Sequence, residues 1–229
     1  MKTLWVALIA LASTTASAGF YSPQIWPNKR IEVCFARDGL ELRDASGNPT
    51  STSPLRPADR AKVRLWVEQD YTPQNTGIHF VGWKDCEEAP EAEVVIFYSW
   101  RSHIWHALVG GTEGYAYVGP VAQGTYPDFP NAKNFVWLSR AGFSRGVTVH
   151  EFGHVAGLLH EHERTERAQD PACRNFSSNP IRQPDHWNVH FGDYDARSIM
   201  NYCFLNARGG DRSGLSEGDL AVLRFLYRN

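Results

Sequence analysis

Three histidines, His150, His154 and His160, stand where one zinc ion could take a nitrogen from each. They lie in the run Val149-His150-Glu151-Phe152-Gly153-His154-Val155-Ala156-Gly157-Leu158-Leu159-His160-Glu161. Residues four apart share one face of a helix, so His150 and His154 point the same way and present two imidazoles to one metal. Glu151 follows the first ligand and comes close enough to polarise a water beside the ion. Gly157 is placed to end the helix, because glycine most readily takes the left-handed backbone there. The chain then reverses and returns His160 to the same point. Three neutral nitrogen ligands leave a fourth position open, as a catalytic zinc requires. HExxH alone arises by chance in unrelated helices, and the glycine and third histidine at fixed spacing raise this match above coincidence. His79, His103, His106, His186 and His190 have no such mutual spacing and read as surface or packing residues. His162 lies two residues beyond the register that the glycine turn sets.

The elements that must hold this run can be read on either side of it. Ile31 to Ala36 alternates as a strand, with Ile31, Val33 and Phe35 on one face, after a lead-in from Gly19 to Lys29. Asp38 to Pro57 reads as a loop, and Ala58 to Tyr71 as a helix with Ala58, Ala61, Leu65 and Trp66 inward. Gly77 to Trp83, Glu93 to Trp100, Tyr115 to Val118 and Phe135 to Leu138 are strand-like, and Lys84 to Glu91 is an acidic turn. The zinc helix begins near Ser144. After His160 the hydrophobic periodicity fades until Ser216 to Tyr227, a helix with Ser216 as cap, Asp219 as capping partner and Leu220, Leu223, Leu226 and Tyr227 buried. This order predicts an α+β domain with a mixed sheet.

Met1 to Ala18 has the form of a secretory signal peptide: Lys2, an apolar Leu4–Leu11 centre, and Ala16-Ser17-Ala18 as the cleavage site. Cleavage there leaves 229 − 18 = 211 residues, residues 19–229, which we read as one catalytic domain. Losing Lys2 shifts the formal net charge from −2 to −3, which is no footprint for nucleic acid or an anionic membrane. No apolar stretch is long enough to span a bilayer. A secreted monomer is expected. Four cysteines in an exported chain suggest two disulfides, and three pairings are open; Cys34–Cys86 with Cys173–Cys203 is the chosen one, a bridge on each side of the zinc helix. Asn175-Phe176-Ser177 is a glycosylation sequon.

A second signal is Ser198-Ile199-Met200-Asn201-Tyr202, which holds the one methionine other than Met1. Joined to His150-Glu151-x-x-His154-x-x-Gly157-x-x-His160, it resembles the metzincin metalloproteases with their Met-turn. Glu161 after the third histidine, Tyr202 two after the methionine, and His162, Arg164, Arg167 and Tyr194-Asp195 make it most similar to the astacin family. The resemblance implies a metzincin-like fold: a twisted mixed sheet, a central zinc-binding helix flooring a cleft, the Met-turn, and a C-terminal helix. It implies Met200 as a hydrophobic base under the metal and the strand near Tyr115 as the edge to which substrate peptide adds. Tyr202 would be an additional zinc ligand at rest and an oxyanion donor in turnover, and Glu161 a structural contact to the mature N-terminal region. Asn201 stands where many astacins have histidine, and the short lead-in has no room for a propeptide, so either there is no conventional latency or an inhibitor partner restrains the enzyme.

The activity expected is peptide-bond hydrolysis within a protein or peptide, one Zn2+ activating water with Glu151 as general base. Two other readings remain open. One is a non-catalytic zinc domain that binds peptides, against which Glu151 speaks, since a structural site needs no such acid. The other is a narrow-specificity exported effector protease of matrixin type, because the zinc helix and Leu215 to Tyr227 also resemble matrixins. Arg208 and Arg212, after the Met-turn, would favour acidic residues beyond the scissile bond; a solvated loop is the equal alternative. Asp185, Asp193 and Asp195 make no calcium pattern.

Overall fold

The computed structural model describes residues 19–43, 49–100, 114–120, 128–140, 143–173, 181–186, 188–203 and 214–228. The signal segment, His103, His106, the sequon, Arg208 and Arg212 lie outside the described residues. The frame is a five-stranded sheet built from β2 (Arg30–Phe35), β5 (His79–Asp85), β6 (Val94–Ser99), β7 (Gly114–Ala116) and β8 (Asn134–Ser139) in the order β5-β2-β6-β8-β7. All neighbours pair parallel except β7, which runs antiparallel to β8 at the sheet edge.

Alternation along these strands splits the core in two. Ile31, Val33, Phe35, Phe80, Val94, Ile96, Val136 and Leu138 face the helices, while Cys34, Val95, Phe97 and Phe135 form a second cluster behind the sheet. Two helices cross the first face: α1 (Pro57–Asp70) and α2 (Arg145–Val155). The Tyr71 hydroxyl, just past α1, donates to the Val149 carbonyl at 2.7 Å, and Arg145 pairs with Asp70 at 2.8 Å, so α1 fixes α2 at both levels.

The inward face of α1 differs from the expected one. Asp59, Val63 and Val67 are buried, while Ala58 and Ala61 are exposed, Trp66 is partly buried and Leu65 is 52% exposed. The i, i+4 spacing of 59, 63, 67 and 71 makes a stripe that ends on buried Tyr71, and Leu65 lies outside that stripe. The expected loop over 38–57 carries a small hairpin, β3 (Glu41–Arg43) with β4 (Pro49–Ser51). The lead-in also differs. Gly19–Tyr21 is a strand, β1, antiparallel to β9 (Val189–Phe191) in the stretch where periodicity fades. Three-residue strands are too short to leave an alternation in the sequence.

The C-terminal helix, which we number α3 (Glu217–Tyr227), has the expected capping box: Ser216 accepts from Asp219 N–H while the Asp219 side chain accepts from Ser216 N–H. Its buried face is Asp219, Val222, Leu223 and Tyr227, with Leu220 and Leu226 only partly covered. Disulfides join Cys34 to Cys86 and Cys173 to Cys203, the chosen pairing. Both fit an oxidising, extracellular setting. No helix among the described residues is long and apolar enough to cross a membrane.

Candidate metal centre

Ser144 caps α2 by accepting from Val147 N–H at 3.2 Å, and the helix is buried from Thr148 through Val155. His150 and His154 therefore project from one face of a rigid element, their rings 4.8 Å apart. Gly157, at φ +96°, turns the chain out of the helix. Leu158 N–H donates to Gly153 O at 2.9 Å and Gly157 N–H to His154 O at 2.8 Å, the paired bonds of a Schellman ending. Trp26 Nε1 and the Tyr227 hydroxyl donate to the remaining carbonyls, Val155 O at 2.6 Å and Ala156 O at 2.9 Å. β1 then grips the departing strand through Ser22 N–H to Gly157 O and Leu159 N–H to Phe20 O.

That reversal delivers His160. One nitrogen from each of His150, His154 and His160 lies within 4.8 Å of the others, and His154 and His160 bring their Nε2 atoms to 3.0 Å. The proton positions follow from the outer partners. Nδ1 of His150 lies 2.8 Å from Ile199 O and Nδ1 of His154 lies 2.9 Å from Leu158 O. A carbonyl only accepts, so each Nδ1 carries the proton and each Nε2 turns a lone pair inward. Burial, with the neighbouring imidazoles, holds His150 and His160 well below the ordinary histidine range. His154 is lowered to about 4, burial again being the main cause. All three are neutral at pH 7, the form that binds metal.

The Met-turn closes the site from below. Met200 is buried, and a Cβ at Gly153 would sit 2.6 Å from its Sδ, so the glycine inside the histidine motif lets the turn touch the helix. Tyr202, two residues on, sets its hydroxyl 3.0 Å from His160 Nε2 and 3.1 Å from His150 Nε2. Glu151 is buried against the sheet edge, where a Cβ at Gly114 of β7 would lie 2.6 Å from its Oε1.

The family model described as Astacin (Peptidase family M12A) matches residues 128–209, the part of the chain that carries the three histidines, Glu151, Met200 and Tyr202. Over these residues the chain is similar to the astacin family. It is 30% identical over 89 residues to zinc metalloproteinase nas-2 of Caenorhabditis elegans, a match covering 38% of this chain and 30% of that protein. It is 31% identical over 110 residues to human tolloid-like protein 1, covering 36% of this chain and 11% of that protein. The chain thus spans under a third of the length of these relatives. The structure of myroilysin superposes with a TM-score of 0.55 at 18% identity, covering 92% of this chain and 99% of that one, a likeness of fold.

Around the site, Asp219, His162 and Glu161 make contacts that the sequence did not assign. Asp219, noted only as a cap, also accepts from Ser198 Oγ at 2.6 Å and Ile199 N–H at 2.9 Å, so the C-terminal helix pins the Met-turn that orients His150. His162 is fully buried and its Nδ1 accepts from Tyr202 N–H at 3.1 Å; burial lowers it to about 4. Glu161 N–H donates to Met200 O at 3.1 Å, and its carboxylate pairs with buried Arg164 at 3.2 Å and accepts from Asp195 N–H at 2.8 Å. Burial nevertheless raises Glu161 to about 8. His190 packs edge-on against Phe20, His186 is exposed and His79 is partly buried on β5, and none of them joins the histidine cluster.

Proposed function

We propose that this chain is a secreted zinc endopeptidase of astacin-like type, residues 19–229 forming its catalytic domain. The observation that carries this reading is the meeting of one nitrogen from each of His150, His154 and His160 with the Tyr202 hydroxyl, beside a buried Glu151. The donor set suits zinc: three neutral imidazoles, two of them with their Nδ1 protons held outward by backbone carbonyls. Zinc, when bound by His150, His154 and His160, supplies a Lewis acid that polarises both water and the scissile carbonyl.

The chain's own groups do the rest. β7, the last strand of the sheet among the described residues, offers its outer edge for an antiparallel peptide strand, which fixes the scissile bond along the cleft. Glu151, against that edge, accepts the proton of the attacking water and returns it to the leaving amine. Tyr202 donates a hydrogen bond to the oxygen on which charge develops. Met200 and the Schellman turn hold the imidazoles in place. Removing residues 1–18 would free an ammonium at Gly19, whose carbonyl is held by Arg164 at 3.0 Å, and Arg164 in turn pairs with Glu161. An ammonium there would relieve the burial cost of the Glu161 carboxylate.

Glu151→Gln separates this reading from a peptide-binding zinc domain. It should keep about one zinc per chain and lose about 10²–10⁴ of the casein-cleaving rate. Full cleavage by that variant, or a purified wild-type chain without zinc, would sink the assignment.

A further inference from the structure

His150 and His154 have their rings aimed by a buried helix, and both anchor Nδ1–H on backbone carbonyls. His160 has neither advantage. It lies beyond the glycine turn on extended backbone, φ −65° and ψ 112°, and is only partly buried. Its Nδ1 faces a carboxylate instead: Glu163 Oε1 at 3.4 Å. Glu163 is 4% exposed, and that burial matters because a carboxylate needs strong partners to stay there. It has one in Arg182, whose Nε lies 2.6 Å from Oε2 and whose N–H donates to Glu163 O at 2.7 Å. Glu163 N–H in turn donates to His160 O at 2.9 Å, so carboxylate and imidazole sit on one tight turn.

We propose that Glu163 is a positioning residue for the metal site: it holds the Nδ1 proton of His160 and keeps that ring facing the ion. Arg182 fixes the carboxylate for this task from outside the turn. A carboxylate behind a metal-bound histidine orients the ring and raises its basicity, and loss of such a partner weakens metal binding about 10- to 100-fold. The inference rests on the zinc reading above.

The test is zinc affinity, measured by competition with a chelating dye on the purified mature chain, with the cobalt(II) absorption spectrum as a second readout. Glu163→Ala should weaken zinc binding about 10- to 100-fold and shift the cobalt bands. Glu163→Gln, whose amide oxygen still accepts from Nδ1, should recover most of the affinity. Arg182→Met alone should lose several-fold less than Glu163→Ala. Arg182 is half exposed, so Glu163→Ala leaves no unpaired buried charge, and the double variant Glu163→Ala/Arg182→Met should match Glu163→Ala in zinc loss. Equal losses in Arg182→Met and Glu163→Ala would mean the pair only staples the chain, and unchanged affinity in all variants would also overturn the role. Absence of zinc from the wild type would instead overturn the metal reading on which it stands.

Discussion

Tyr202 is within hydrogen-bond reach of two of the three clustered imidazole nitrogens, so its hydroxyl stands among the candidate ligand atoms. The neighbouring main chain is fixed: Tyr202 N–H is bound by buried His162, and Cys203 is tied to Cys173. The ring can therefore turn about its side-chain bonds without moving the Met-turn. Tyr202→Phe removes one donor and keeps the ring. We expect kcat to fall about 10²–10³-fold, the usual cost of one oxyanion donor, with KM and zinc content little changed. Steady-state kinetics on a fluorogenic peptide decide this. A loss confined to KM would assign the hydroxyl to substrate binding instead.

At the scale of elements, the zinc helix is legible because its signals are local: two histidines four apart and a glycine stop. What the sequence does not reveal are the contacts made from far along the chain. Asp219 reads as an ordinary cap, and only the folded chain shows it holding Ser198 and Ile199 as well. The face of α1 is misjudged for a related reason: leucine and alanine outrank aspartate in any hydrophobic pattern, yet Asp59 is buried through partners, Arg56 and Lys62. Gly153 lies in plain view within the motif, but its reason is Met200, 47 positions away (200 − 153). Gly153→Ala tests that contact. Helix propensity favours alanine by about 1 kcal/mol, whereas overpacking a tight interior costs about 1–3 kcal/mol. The clash should win, lowering stability by about 1 kcal/mol and pushing the Met-turn, with Ile199 O, away from His150. Urea unfolding and zinc competition should both register it, and a stabilised variant with unchanged zinc affinity would show that Met200 yields freely.

Over the whole molecule, the fold gathers four imidazoles, His150, His154, His160 and His162, where burial strongly disfavours their charged forms. The unfolded chain takes up these protons near pH 6.5, while His154 and His162 in the folded chain resist until about pH 4 and the other two resist further still. The unfolded state then binds more protons, so stability is complete above about pH 6.5 and falls as pH drops below it. Glu161 works in the opposite direction: raised to about 8 when folded, it stabilises the fold as pH falls from there toward 4.5. Glu166, held at about 2 chiefly by its hydrogen bond to Arg164, loses its contribution only below pH 4.5. Asp70 and Asp219, also raised by burial, act in the same direction as Glu161, but the four imidazoles outnumber these carboxyls and prevail between pH 6.5 and 4.5. The zinc-free chain should show a thermal midpoint that falls steadily across that window. With zinc present the midpoint should hold further into acid and then drop more steeply, because protons must first displace the metal. Identical profiles with and without zinc would mean that the ion does not bind this histidine cluster.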